Sequence, residues 1–260
     1  MKFISLASGS SGNCYYLESE DTKILIDAGV STRYIKNSLK NFDIDIAEID
    51  AVFVTHEHGD HISGVEVLSR NYQIAVYSNA LTVKNILEHN FIKQKQLFSS
   101  FDGLINIKDL EIHSFNLNHD AVSPVGYVIK DKKTKFSVIT DTGCITPEIY
   151  NSVKGSNAVV LESNHDIQML TNGPYHYSLK KRILSNNGHL SNDAAGRCAV
   201  NLINDGTSEL ILAHISSTNN NYETVEKSIC YYLTANNIKI NEDVRVDIAR
   251  KNETSTLHNF

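Results

Sequence analysis

The chain has no apolar run approaching the roughly 20 residues needed to cross a bilayer as a helix. Its opening, Met1-Lys2-Phe3-Ile4-Ser5-Leu6-Ala7-Ser8-Gly9, has too short an apolar core for a signal peptide, so an intracellular, cytoplasmic protein is expected. Cysteine is sparse. Cys14, Cys144, Cys198 and Cys230 lie far apart without a C-x-x-C pair, which argues against a thiolate zinc site and against a disulfide framework. A surplus of positive charge is missing too: the formal net charge of −6 argues against coating nucleic acid by bulk attraction. It leaves room for a local basic groove or a metal-centred phosphate site. There are no repeats and no low-complexity linkers. What remains, 41% hydrophobic and 21% charged residues, is ordinary globular composition. At 260 residues nothing forces a division, so a single domain over 1–260 is expected, with the tail 252–260 frayed.

The densest chemistry lies in Thr55-His56-Glu57-His58-Gly59-Asp60-His61, directly after the apolar run Ile49 to Val54, which reads as a buried strand. His56 and His58 are two residues apart, so an extended segment projects both to one side. Asp60 and His61 follow where Ile62 to Leu68 can open a helix, and they can face a second point in space. Neutral imidazoles and a carboxylate suit zinc or manganese. Such a set has no packing purpose.

Further along the chain, acids and histidines recur at strand ends. Strands are expected at Lys2–Ala7, Tyr15–Glu18 and Lys23–Asp27. The link Ser8-Gly9-Ser10-Ser11-Gly12-Asn13 is either a plain turn or a wall of the site built from backbone N–H groups; it lacks the ending of a Walker loop. Asp27 is read as a turn residue, with a hydrogen bond to a ligand histidine as the alternative. Leu110–Leu117 alternates as a half-buried strand, leaving His113 solvated and placing His119 at its end. The strand Lys135–Ile139 delivers Asp141, whose two oxygens can bridge two ions roughly 3.5–4 Å apart. His214 stands directly after Glu209–Ala213. Helices are expected from Ser31, from Asn79 and from Thr146-Pro147, and at Ser178–Leu184, Asp193–Asn204 and Tyr222–Ala235. Strand and helix alternate, an α/β rhythm. Lys180, Lys181 and Arg182 form either a solvated helix face or phosphate contacts. His189 lies in Gly188-His189-Leu190-Ser191-Asn192, and His165 is similarly placed. His89, His176 and His258 read as surface histidines.

The H-x-H-x-D-H pattern resembles the signature of the metallo-β-lactamase fold superfamily. The resemblance implies an αββα sandwich of two facing sheets flanked by helices, and two divalent metal ions, Zn2+ or Mn2+. It implies His56, His58 and His119 for one ion, Asp60, His61 and His214 for the other, and Asp141 between, with a metal-bridged hydroxide as nucleophile. Asp60 and His189 are then the catalytic candidates, His189 standing where related tRNA-processing and phosphodiesterase members place a histidine that aids the leaving group. Class B β-lactamases are exported and commonly use cysteine in the second metal site, flavodiiron proteins carry glutamate where His58 stands, and the β-CASP nucleases need an insertion for which this chain has no room.

Five phrases, Leu6 to Asn13, Thr55 to His61, Asn118 to Asp120, Glu162 to Asp166 and Gly188 to Asn192, together resemble the YycJ/VicX/WalJ family of low-GC Gram-positive bacteria, over nearly the whole chain to about Leu233. The chain departs from that family at Tyr175-His176, where tyrosine-proline is usual. The resemblance implies a DNA exonuclease acting 5′ to 3′. The alternatives are a hydrolase of a small ester, thioester or cyclic nucleotide, and a non-catalytic regulator of a two-component system.

Overall fold

The strands that carry the strand-end acids and histidines are apolar at nearly every position, as strands buried on both faces must be. The computed structural model describes all 260 residues. The first half contributes β1 (Lys2–Ala7), β2 (Cys14–Glu18), β3 (Lys23–Ile26), α1 (Thr32–Lys40), β4 (Ala51–Phe53), α2 (Gly59–Ile62), α3 (Val65–Tyr72), β5 (Ala75–Ser78), α4 (Ala80–His89) and β6 (Phe98–Ser100). The second contributes β7 (Leu104–Ile107), β8 (Leu110–Asn116), β9 (Val125–Lys130), β10 (Lys135–Ile139), α5 (Pro147–Val153), β11 (Ala158–Glu162), α6 (Ile167–Asn172), α7 (Tyr177–Ile183), α8 (Asn192–Asn204), β12 (Glu209–Ala213), α9 (Tyr222–Ala235), β13 (Arg245–Ile248) and β14 (His258–Asn259). Two seven-stranded sheets result, ordered β14-β1-β2-β3-β4-β5-β6 and β13-β12-β11-β10-β9-β8-β7. In each, the strands of one half pair in parallel, β3 to β6 and β10 to β13. Parallel pairing puts the carboxyl ends of those strands on one edge, where open α/β sheets hold their ligands.

Alternation decides the layers. Phe3, Tyr15, Phe53, Tyr127, Phe136 and Ile211 point between the sheets, while their strand neighbours Ile4, Tyr16, Val52, Val128 and Leu210 point outward under the helices. Phe3 and Phe136 meet at 5.1 Å between ring centres, and Phe53 meets Tyr127 edge-on at 5.7 Å. Truncating such a ring to alanine costs about 3–5 kcal/mol, so this layer holds the two sheets in one mutual position. The α/β sandwich expected from the motif is therefore the fold observed. No helix is long and apolar enough to cross a membrane.

Two local readings need correction. The tail is not frayed: β14 pairs antiparallel with β1, Phe260 stacks on Phe136 at 5.7 Å, and His258, expected on the surface, is fully buried beside Glu209 and Asp247. Without that strand β1 would be an open sheet edge. The helix expected at Ile62–Leu68 is two helices, α2 and α3, broken at Ser63-Gly64. Gly64 donates its N–H to the Ala28 carbonyl at 2.7 Å, and a Cβ there would lie 2.4 Å from the Val30 carbonyl, so only glycine fits this approach.

Candidate metal centre

Asp27 and His214 follow β3 and β12 directly and Asp141 stands two residues past the end of β10, and all three take the left-handed conformation, with φ of 58°, 54° and 60° in that order. That conformation is uncommon outside glycine, though Asp and His are among the side chains that enter it most readily. Each kink ends its strand abruptly and turns a polar side chain inward along the shared edge. The chain holds these kinks only because the flanking strands are pinned in the sheets.

His56, His58 and His119 come together, with candidate ligand atoms within 4.8 Å of one another. The His56 Nδ1 lies 3.0 Å from the Thr55 hydroxyl and the His119 Nδ1 3.0 Å from the Gly188 carbonyl, so each ring gives its Nδ1–H outward and aims Nε2 at the centre. His58 offers Nδ1 instead, 3.0 Å from His56 Nε2. The contact is satisfied either by a proton on one of the two nitrogens or by a cation that both face.

The second group is Asp60, His61 and His214, with candidate ligand atoms again within 4.8 Å. His61 gives Nδ1–H to Asp27 Oδ2 at 2.8 Å, and His214 gives Nδ1–H to Glu162 Oε1 at 2.9 Å, so both present Nε2. Asp141 lies between the groups: its oxygens are 3.1 Å from His61 Nε2, 3.3 Å from His214 Nδ1 and 3.8 Å from His119 Nε2. Asp141 Oδ2 and His214 Nε2 are buried without a hydrogen-bond partner. Orphaned buried donor atoms of this kind, in a nitrogen and oxygen set, fit divalent ions such as zinc or manganese.

Charge leads to the same place. Burial opposes the charged form of His61, but the Asp27 and Asp141 carboxylates override it and raise the ring well above its ordinary range. Against the same desolvation, Asp141, Asp60 and Glu162 push His214 up to about 10. Asp141 is held well below the usual carboxylate range, burial notwithstanding, by His214 and His61. At His56 and His119 burial prevails and pushes the rings down. The acids of this centre demand positive charge beside them, which protons supply in the free protein and a metal supplies by displacing those protons.

Asp27 is fully buried and does more than turn the chain: besides His61, it accepts the Thr55 N–H at 2.8 Å and the Thr55 hydroxyl at 2.9 Å. Asp27→Asn should lower metal affinity about 10–100-fold, because His61 loses its acceptor while Thr55 keeps one. Competition against a chelating dye measures this, and unchanged affinity would show that the carboxylate does not orient the ring. The Ser8–Asn13 link does form a wall, but with side chains. Ser8 Oγ accepts the His214 N–H at 2.8 Å, and Asn13 Nδ2 lies 3.1 Å from His61 Nε2.

Glu162, at the end of β11, escaped the reading of the sequence. It is fully buried and accepts the N–H groups of Thr142 and Leu190 at 3.0 and 3.1 Å, besides meeting His189 Nδ1 at 2.8 Å and His214 Nδ1 at 2.9 Å. Despite burial, His189 draws it down to about 2. The signal that singled out Asp141 and His214, a polar residue ending an apolar strand, was present at Glu162 as well. Of the basic helix, Arg182 reaches the centre through Asp120, with Arg182 Nε 2.6 Å from Asp120 Oδ2 and Asp120 Oδ1 3.3 Å from His119 Nε2. Lys180 is drawn instead to the Thr171 carbonyl at 2.8 Å.

His165 stands apart. It is buried, neither ring nitrogen has a partner, and burial pushes it down to about 4. Its folded pKa lies below the unfolded one of about 6.5, so the unfolded chain takes the proton first. Its contribution is complete above that pH and is lost as the pH falls through the folded value. Wild type should lose about 2 kcal/mol more than His165→Leu between pH 7 and pH 5, in urea titrations with metal chelated. Parallel losses would sink this.

The model of the β-lactamase superfamily domain matches residues 22–215. The exodeoxyribonuclease YycJ of Bacillus anthracis is 37% identical over 245 residues, covering 93% of this chain and 92% of that protein. The exodeoxyribonuclease WalJ of Streptococcus pneumoniae is 35% identical over 251 residues, covering 94% and 93% respectively. Among solved structures, the metallo-β-lactamase fold protein YhfI from Bacillus subtilis superposes with a TM-score of 0.71 at 16% identity, over 98% of this chain and all of the other, a likeness of fold alone.

Proposed function

Because the chain belongs to the β-lactamase superfamily and, within it, to the family of the YycJ and WalJ exodeoxyribonucleases, we propose that this metal-dependent hydrolase shortens DNA from the 5′ end by cleaving phosphodiester bonds. The observation that carries the reading is the convergence of donors from both sheets on one edge, beside the Glu162–His189 pair. Since the centre draws on both sheets, the 260 residues are read as one functional unit.

His56, His58 and His119 would hold one ion and Asp60, His61 and His214 a second, Zn2+ or Mn2+, with Asp141 shared. When bound, the ions supply positive charge against the phosphodiester and lower the pKa of water. The chain's own work is to orient and to move protons. Thr55, Asp27, the Gly188 carbonyl and Glu162 fix which nitrogen each ring presents. His189 gives Nδ1–H to Glu162 Oε1, which leaves Nε2 to carry a proton toward the departing oxygen. With 16% of its side chain exposed, His189 is open enough to meet substrate, and so is Asp60 with 25%.

A panel of end-labelled DNA, end-labelled RNA and small phosphodiesters, incubated with protein reconstituted with manganese or zinc, tests the reading. Stepwise shortening of DNA, lost in Asp60→Ala, is expected. Activity that survives Asp60→Ala, or protein that cleaves no phosphodiester, would overturn it.

A further inference from the structure

Beyond the centre itself, the strand being degraded needs a surface to lie on, and a net charge of −6 means that this surface must be local. The outer face of α7 has the right chemistry. Tyr177 is 76% exposed, an unusual state for so large an apolar ring, and Ser178, Lys181 and Arg182 are exposed with it. Tyr177 and Lys181 are four residues apart and so lie on neighbouring positions of one helix face. Arg182 connects this helix to the catalytic edge through Asp120 and His119. Five residues beyond Tyr177, Arg182 is turned about 140° around the helix, so it marks the side of α7 that meets the centre while Tyr177 and Lys181 share the outer side.

The helix start is also fixed. His176 caps α7: its Nδ1 accepts from the Ser178 N–H at 3.4 Å and lies 2.8 Å from the Ser178 hydroxyl. Tyr177 is therefore held on a capped turn while its ring faces solvent. An exposed aromatic ring next to a free cation, on an element tied to the hydrolytic centre, is a combination that binds single-stranded nucleic acid. The ring stacks on a base whatever its identity, and the lysine takes a phosphate.

We infer that Tyr177 and Lys181 form a platform for unpaired DNA beside the hydrolytic centre, with Tyr177 stacking on a base and Lys181 contacting the backbone, on a helix that Arg182 ties to that centre. The inference rests on the nuclease reading. It goes further by naming the substrate as single-stranded at this point and by leaving recognition free of sequence.

Fluorescence anisotropy of a short 3′-fluorescein single strand with phosphorothioate linkages, added to manganese-loaded protein across a salt series, tests it. Tyr177→Ala should weaken binding about 5- to 150-fold at every salt concentration, because stacking carries no net charge, while Tyr177→Phe should bind like wild type. Lys181→Ala should flatten the slope of log affinity against log salt by about 0.7. In turnover of unmodified single strands, Tyr177→Ala should raise KM more than it lowers kcat. Melting temperatures equal to wild type exclude unfolding as the cause. Tyr177→Ala binding as tightly as wild type, or Tyr177→Phe failing equally, overturns the platform while leaving the nuclease reading intact. Wild type that neither binds nor cleaves DNA overturns both.

Discussion

Asp141→Ala is expected to cut phosphodiester hydrolysis by at least about a thousandfold, which corresponds to about 4 kcal/mol. The carboxylate lies against His61, His119, His189 and His214 at 3.1 to 3.8 Å, with one oxygen lacking any hydrogen-bond partner. No other acid reaches both groups of histidines. Without it, the two halves of the centre lose the anion between them, and metal content measured by elemental analysis should fall along with activity. The free protein should suffer as well, since removing one partner from a buried charged set costs about 3–5 kcal/mol. Asp141→Asn separates the effects: it keeps the volume and one oxygen but not the charge. Asparagine retaining activity within tenfold of wild type, at full metal occupancy, would mean that the shared carboxylate is not required.

The second large effect concerns His189. Replacing it with alanine should slow degradation of a DNA strand by about 10²–10⁴, the usual contribution of a positioned acid. The loss should depend on the leaving group. A p-nitrophenyl phosphodiester releases a stable anion that needs no proton, so its hydrolysis should fall far less than that of DNA. Equal losses on both substrates would remove His189 from the role of acid and leave it as packing. Glu162→Gln should give the same pattern in weaker form, because the ring keeps its nitrogen but loses the anion that supports its charge.

The sequence was informative where short-range pattern governs. The motif from His56 to His61 places its donors by strand and turn geometry within a few residues, and β1, β10, β12 and α9 were read from period and caps with bounds as observed. Ser31, Asn79 and Thr146 accept N–H groups of their helices' first turns, as their residue types imply. The misreadings share a different origin. Asp27 resembled any turn aspartate, because its partner His61 is 34 residues away. Gly64 resembled a helix residue until the Ala28 carbonyl came to meet it. His258 and Phe260 looked like tail because the edge of β1 that they cover belongs to the opposite end of the chain.

Sequence by itself determined the kind of chemistry: imidazole and carboxylate at the ends of apolar strands. Tertiary structure decided which nitrogen each ring presents, that Glu162 serves His189 and His214 together, and that one face of α7 lies beside the centre. The reason is distance along the chain. Ligand identity is written locally, whereas the atoms that orient the ligands arrive from strands and loops tens to hundreds of residues away, and only the packed sheets bring those within 3 Å of each other.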